Sequence, residues 1–391
     1  MRTSILIYPG LKYLPRSCTF IYRQLLGVSE QFIPHVIYSH LENLDIFPLK
    51  TIVKRDRPFI EKFKNRLLFE SGWNISYLSS YEEQFIENYI KKNNIKLIHA
   101  HFGHHGIKML PIARKLKIPL IVTLHGVDIT VYTKNKAYVK SLSKLAEYAL
   151  ILCVSKNIQD RLSLLNIKPN KKTLHYIGIP LEKFPFLKRT PLKVKVGRGD
   201  RIVFCQVSRI EEKKGIKYSL LAFSEVLKIY PNLEYHIAGD GTLLKELKKL
   251  TKTLQISDKV KFLGSVTSDE VAELFTKSDV FLHHSITAKN GDQEGLPTVI
   301  GEAMSTGLIV LSTNHSGIPD LITDGENGFL VDEKDVGTYV EKLKDILNIS
   351  DSSMSLAAKE RVDKFFNLNK QNLLLSEIYL SEISEYSGLN N

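Results

Sequence analysis

Short apolar runs alternate along the chain with longer stretches in which apolar positions recur every three or four residues. The runs at 5–8, 96–100, 120–124, 149–154, 201–207, 234–238, 260–263, 280–282 and 308–312 read as strands. Several are rich in β-branched residues without alternation, as parallel strands buried on both faces are. Between them lie amphipathic helical segments such as 213–229 and 243–254. Strand–helix alternation at this spacing predicts an α/β protein built of βαβ units in doubly wound parallel sheets. Two Rossmann-like domains fit, at 1–185 and 201–365, with a polar, proline-containing linker at 186–200. The remaining segment, 366–391, is an amphipathic helix that either caps the second domain or crosses back onto the first.

Composition narrows the class without changing this picture. With 391 residues, 43% hydrophobic and 25% charged, the chain has the make-up of an ordinary globular protein with room for two cores. Collagen-like, low-complexity and polytopic membrane proteins are excluded. Cys18, Cys153 and Cys205 form no disulfide scaffold, and the last two sit in apolar runs as buried thiols do, so a reducing compartment is expected. The opening MRTSILIYPG is too briefly apolar for a signal peptide and reads as a first strand. No run approaches the length that spans a bilayer. A cytosolic location follows as the expectation.

Charge adds an asymmetry. The formal net charge is +12, but residues 1–190 carry +17 and residues 191–391 carry −5. One domain therefore meets anionic matter and the other does not. Lys50, Lys54, Arg55, Arg57, Lys62, Lys64 and Arg66 make the densest basic cluster. They are interleaved with Phe59, Ile60, Phe63, Leu67 and Leu68 at helical spacing, with Trp73 close by. Such a helix either lies in an anionic membrane interface or packs its apolar stripe on its own domain.

Ligands of doubly wound sheets bind beyond the carboxyl ends of the strands, so chemistry is sought there. After 201–207 come Arg209 and, near the next helix start, Lys214, two cations where free helix N–H groups already favour anions. After 234–238 come Gly239-Asp240-Gly241, which fit either a ligand's close approach or a plain tight turn. The strongest signal is Asn290-Gly291-Asp292-Gln293-Glu294-Gly295-Leu296-Pro297-Thr298-Val299-Ile300-Gly301-Glu302-Ala303. Pro297 suits the first helical position, leaving Glu294 in the loop and Glu302 in the second turn, leaning back toward the same point. Amides of 295–298 suit a phosphate, and the carboxylates suit sugar hydroxyls. In the first half, His125-Gly126-Val127-Asp128 follows a strand directly, where a histidine serves as acid or base. His99-Ala-His101-Phe-Gly-His104-His105 tempts a metal reading, but no Asp, Glu or Cys completes a ligand set nearby; cleft-lining or acceptor contacts are preferred.

Together, Glu294 and Glu302 with seven residues between them, Arg209…Lys214-Gly215 upstream and Ser316-Gly317-Ile318-Pro319-Asp320 downstream resemble family 4 retaining glycosyltransferases of GT-B architecture. The resemblance spans nearly the whole chain. It is nearest to the bacterial subgroup that builds colanic-acid-type exopolysaccharides, whose Asp-Gly-x-Glu-Gly-x-Pro element is matched with slightly changed order by Gly291–Pro297. It implies two Rossmann-like domains facing across a cleft, the first on the acceptor side and the second binding nucleotide-sugar. It implies that Arg209 and Lys214 neutralise the donor diphosphate, that Glu302 binds the ribose, and that Glu294 contacts the transferred sugar. The loop at Gly264 would touch the base, and His125 would lie near the anomeric carbon. Gly10, Gly239, Gly241, Gly295, Leu296, Pro297 and Thr298 complete the donor site; His101 and Asp128 line the acceptor side. The donor is expected to be a nucleoside-diphosphate sugar, UDP favoured, with no metal or cofactor. The acceptor is expected to be a glycan or lipid-diphosphate-linked sugar at the inner membrane face.

This chain departs from the family pattern in three places. The usual glycine pair after the first strand is reduced to Pro9-Gly10. Ser17-Cys18-Thr19-Phe20 lacks the subgroup's Glu, and His283-His284 precede Ser285 where other residues are usual. Three other functions compete with this reading. A GT-B sugar-nucleotide epimerase would need no acceptor. A dinucleotide oxidoreductase lacks its Gly-x-Gly-x-x-Gly after the first strand. A nucleic-acid-binding protein would explain the basic half but not paired glutamates in an acidic one.

Overall fold

The structure is a computed structural model that describes residues 2–10, 19–38, 43, 47–48, 52–54 and 78–389. The chain divides into two compact units, residues 1–178 with 368–391, and residues 179–367.

In the first unit, seven strands form one sheet: β1 (Thr3–Tyr8), β2 (Phe32–Tyr38), β3 (Ile52–Lys54), β4 (Ile98–His101), β5 (Leu120–Leu124), β6 (Leu150–Cys153) and β7 (Lys171–Leu174). Their order is β3-β2-β1-β4-β5-β6-β7, and every recorded pairing is parallel. In the second unit, β8 (Ile202–Val207), β9 (Leu233–Ala238), β10 (Val260–Gly264), β11 (Val280–His283), β12 (Ile309–Thr313) and β13 (Phe329–Val331) run β10-β9-β8-β11-β12-β13. Both orders reverse direction beside the first strand of the unit, between β1 and β4 and between β8 and β11. That switch point is where doubly wound sheets open a crevice.

All nine expected strands are present, and among the described residues four more join them. Phe32–Tyr38 contains Pro34, which argues against a strand, yet the residue pairs with Ile5. Lys171–Leu174 is polar and largely exposed, as an edge strand can be. Ile52–Lys54 and Phe329–Val331 are only three residues long.

Residues 186–200 are not a free linker. Leu192–Arg198 is helical, Leu192 is buried in the second unit's core, and Lys195 Nζ lies 2.8 Å from both Asp279 oxygens. The final helix, Leu368–Leu389, belongs to the first unit, where Leu375 and Tyr379 are buried with Ile5, Phe32 and Val36. Of the two placements the sequence left open, it takes the crossing back. The basic segment Lys50, Arg55, Arg57, Lys62, Lys64 and Arg66, with Trp73, lies outside the described residues, as do Cys18 and the side chain of Lys54.

Candidate functional site

In the second unit, the chain leaves β8 through Ser208 and Arg209, makes a short turn over Glu212–Lys214 and enters the helix Ile216–Leu227. Gly215 links turn to helix at φ +54°, and a Cβ there would lie 1.7 Å from the carbonyl oxygen of His284. Only glycine lets the loop after β8 press this closely on the end of β11. That approach sets Lys214 Nζ 2.6 Å from Glu294 Oε1, with both side chains nearly buried. A second pair, Lys213 with Asp292 at 2.9 Å, runs beside it. Arg209 stays apart, largely exposed and paired with Glu211 at 2.8 Å.

Glu294 is held from several sides. Ser285 Oγ donates to its Oε1 at 3.3 Å, and its own backbone N–H donates to His315 Nε2 at 3.3 Å. His315 therefore carries its proton on Nδ1, which donates to Glu333 Oε1 at 2.6 Å. Burial alone would raise the Glu294 pKa, but Lys214, with His283 and Lys213, holds it well below the usual carboxylate range. The loop continues through buried Gly295, Leu296 and Pro297 into the helix Thr298–Ser305. Pro297 is the N-cap and not the first helical residue as expected, because its ψ of 96° is extended. Glu302 sits half-buried in the second turn.

Gly239 and Gly241 meet protein, not open space. A Cβ on Gly239 would lie 1.8 Å from the carbonyl oxygen of Ser208, and one on Gly241 2.3 Å from that of Ile210. The loop after β9 is thus folded flat against the loop after β8. Gly264, at the end of β10, has open space where its Cβ would be.

The first unit gathers a different chemistry at its strand ends. His99 and His101 lie on β4 and are buried; His125 follows β5. His99 uses both ring nitrogens, Nδ1 with Tyr379 Oη at 2.5 Å and Nε2 with Thr123 Oγ1 at 2.7 Å. His101 Nδ1 lies 3.1 Å from His125 Nε2, with the rings stacked, and His105 Nδ1 donates to the His101 carbonyl at 2.8 Å. Gly10, after β1, faces the His105 ring, 2.3 Å from where a Cβ would be. Phe20 and Phe102 pack on His125. Buried Asp128 accepts backbone N–H groups from Gly103 at 2.9 Å, Gly126 at 2.8 Å and His125 at 3.1 Å. It acts by fixing the loop that carries His125. Burial pushes the imidazoles down, His99 to about 3 and His101 and His125 well below their usual value, each lowered further by its neighbours. His125 is therefore a neutral hydrogen-bonding group at pH 7, not a cation. Among the described residues no group of three or more His, Cys, Asp or Glu is placed to hold a metal ion.

Sequence reasoning missed Ser285, His315 and Glu333. Of these, Ser285 and His315 carried a signal, the first directly after His283-His284 and the second directly before the quoted Ser316–Asp320 stretch.

Residues 188–363 match the family described as Glycosyl transferases group 1, and residues 76–183 match Glycosyltransferase Family 4. WcaL of Salmonella typhimurium, named for colanic acid biosynthesis, is 30% identical over 285 residues, covering 71% of this chain and 69% of WcaL. An Escherichia coli enzyme named UDP-Gal:alpha-D-GlcNAc-diphosphoundecaprenol alpha-1,3-galactosyltransferase is 27% identical over 313 residues, covering 75% and 77%. Among solved structures, HepE of Anabaena in complex with UDP superposes with a TM-score of 0.76 at 16% identity, over 97% of this chain and 100% of that one. The fold is the two-sheet GT-B architecture.

Proposed function

The chain belongs to the family 4 glycosyltransferases, and from that premise we propose that it moves a sugar, with retention, from a nucleoside-diphosphate donor to a glycan or lipid-diphosphate-linked acceptor in surface-polysaccharide synthesis. The observation that carries the donor half is the buried Lys214–Glu294 pair at the β8/β11 switch point, directly before the helix at Thr298. A cation and a carboxylate side by side there suit a ligand with a diphosphate at one end and a hydroxylated sugar at the other. Arg209, already on the surface of the same loop, and Lys214 take the diphosphate and the charge that builds as the nucleotide leaves. Amides of Gly295–Thr298 contribute to that cradle, Glu294 takes the sugar hydroxyls, Glu302 the ribose, and the loop at Gly264 the base. These two cations do the work a divalent metal would otherwise do, and no cofactor is needed. His125, steadied by Asp128 and His101, is assigned to sugar and acceptor placement.

Retention is proposed to proceed on the front face, the acceptor hydroxyl attacking as the nucleotide departs and the donor phosphate oxygen taking its proton. UDP is favoured as the nucleotide, and undecaprenyl-diphosphate-type lipid as the acceptor carrier, because the names of the galactosyltransferase and of the HepE complex carry them. A lipid-borne acceptor and the +17 charge of residues 1–190 support peripheral residence on an anionic cytoplasmic membrane face. No described helix is long and apolar enough to cross a membrane.

Thermal shift against UDP, GDP, ADP, dTDP and NAD, each with and without EDTA, tests the reading. A ligand at a hundred times its dissociation constant adds about 2.7 kcal/mol. A rise with one nucleoside diphosphate, indifferent to EDTA, is expected; no rise with any of them overturns it. Salt-sensitive co-sedimentation with anionic vesicles is expected, and its absence removes the membrane part.

A further inference from the structure

His283 ends β11 fully buried, and neither ring nitrogen has a hydrogen-bond partner. The other two histidines of this region each have at least one ring nitrogen engaged, although His284 Nδ1 is left without a partner. His284 Nε2 accepts the backbone N–H of Lys334 at 2.9 Å, and its ring stacks on Tyr218. His315 bridges Glu333 and the backbone of Glu294. His283 instead lies with Nε2 3.9 Å from Glu294 Oε1, just beyond hydrogen-bond range, on the same oxygen that Lys214 holds at 2.6 Å.

Donor binding as proposed above creates a conflict at this oxygen. Lys214 is wanted by the diphosphate while it neutralises Glu294. A carboxylate left unpaired in a buried site is costly, so something must replace the lysine. We propose that His283 is a positioning residue that takes over the Glu294 carboxylate when an incoming diphosphate draws Lys214 away, one proton passing from solvent to the imidazole. The exchange balances charge. Before binding, Lys214 is cationic, Glu294 anionic and His283 neutral. Afterwards Lys214 faces phosphate, and protonated His283 faces Glu294.

The charged and titratable groups around His283 fit this exchange. Lys214 comes from the loop after β8, Glu294 from the loop after β11, His315 from the end of β12, and His284 is its neighbour in the chain. Burial pushes the His283 pKa down, Glu294 pulls it up, and the Lys214 cation pushes it down. Moving Lys214 onto phosphate removes one of the downward influences and leaves the upward one in place. Sugar specificity is then tied to protonation, since Glu294 is the carboxylate assigned to the sugar.

The inference rests on the donor-site reading, and two measurements separate their failures. Calorimetry of UDP, GDP, ADP and dTDP binding, in HEPES and Tris at one pH, counts protons. The wild type is expected to take up close to one proton per nucleotide more than His283→Gln near neutral pH, which also cancels the nucleotide's own ionisation. His283→Asn serves if the glutamine variant fails to fold. Equal uptake in wild type and variant puts the proton elsewhere and overturns the inference alone; no binding by any of the four nucleotides overturns both. Ligand-free Lys214→Met gives the second measurement. Its imidazole NMR titration, assigned by difference from the double variant with His283→Gln, is expected to show His283 titrating at higher pH than in the wild type. An unmoved His283 overturns the inference without reference to any nucleotide.

Discussion

The two units share the strand order 3-2-1-4-5-6 counted within each sheet, to which the first adds a seventh strand at its edge, and place their chemistry at the same strand ends, yet the two sites are built oppositely. The second unit's site is charged and pre-paired: Lys214 with Glu294, Lys213 with Asp292, Arg209 with Glu211. The first unit's site is neutral in its imidazoles, which are stacked and hydrogen-bonded, while the nearby carboxylate of Asp128 is spent on three backbone N–H groups. Paired charges can change partners when a charged ligand arrives. A neutral network fixes positions and gains nothing from an ion. One scaffold thus supports a site made to exchange charge and a site made to hold geometry.

The sharpest way to break this contrast is to remove one group from each site and ask whether turnover or stability suffers. Arg209→Ala is expected to lower kcat by about 10²–10³, the loss of one preorganised charge at a developing anion. Its melting temperature should stay put, because the side chain is largely exposed and such substitutions fall within about 0.5 kcal/mol. Normal turnover in the folded variant removes Arg209 from the chemistry. Asp128→Ala should do the reverse, with stability as the primary loss. Three backbone N–H groups lose their acceptor in a buried place, at about 3 kcal/mol in total, readable as a lowered denaturation midpoint. Asp128→Asn, which keeps an acceptor oxygen, should recover part of it. An undisturbed midpoint in Asp128→Ala would mean the loop is held by something other than this carboxylate.

Acid sharpens the same comparison. Buried His99, His101 and His175, the last directly after β7 and donating from Nε2 to the Gln371 carbonyl at 3.0 Å, have native pKa values below their unfolded value near 6.5, so the unfolded chain binds protons first as pH falls. Their contribution is complete above about pH 6.5 and is lost progressively below it. For His99, held at about 3, the loss by pH 5 is at most about 2 kcal/mol. Glu294 is likewise held below its own reference, but that reference is lower, so what it contributes persists until pH falls below about 4.5. Hydrogen exchange at pH 7.5 and pH 5, corrected for intrinsic rates, should show β4 and β5 losing protection more than β8 and β9. Within the second unit, β11 should follow them, since His283 and His284 are also pushed down. Equal loss in both sheets would contradict the description of one site as neutral and the other as charged.

How much of this the sequence revealed follows the same division. Charge is visible in a sequence, and Arg209, Lys214, Glu294 and Glu302 stood out because cations and carboxylates bracketing glycine and proline have few structural uses. The pairing of Lys214 with Glu294, eighty residues apart, is not visible, because it depends on Gly215 lying against His284 through the parallel β8–β11 neighbourhood. Histidines at 99, 101, 104 and 105 are visible as types but not as a network, since the partners of His99, Thr123 and Tyr379, come from β5 and the final helix. Gly239 and Gly241 were ambiguous between ligand and turn, and the structure sets them against Ser208 and Ile210. Strands with a proline, with lysines or with three residues fall below what hydrophobic periodicity can register, which is why β2, β3, β7 and β13 emerged only from the fold.

The smallest expected effect tests the charged site at its edge. Glu302 is half-buried in the second turn of the helix Thr298–Ser305, and helical side chains lean toward the N-terminus, here toward the Glu294 loop. If it accepts two ribose hydroxyls, replacing it by alanine removes hydrogen bonds to a charged acceptor worth about 1–2 kcal/mol, roughly a tenfold weaker nucleotide Kd. Because the ribose is remote from the bond being broken, this loss should be shared by ground and transition states, so KM rises while kcat changes little. A 2′-deoxy donor should bind the wild type more weakly and Glu302→Ala no more weakly than its ribose counterpart. If the variant still discriminates the two sugars, the ribose is read elsewhere. The second carboxylate would then serve the helix, and the site's exchangeable charge would reside in Lys214 and Glu294 alone.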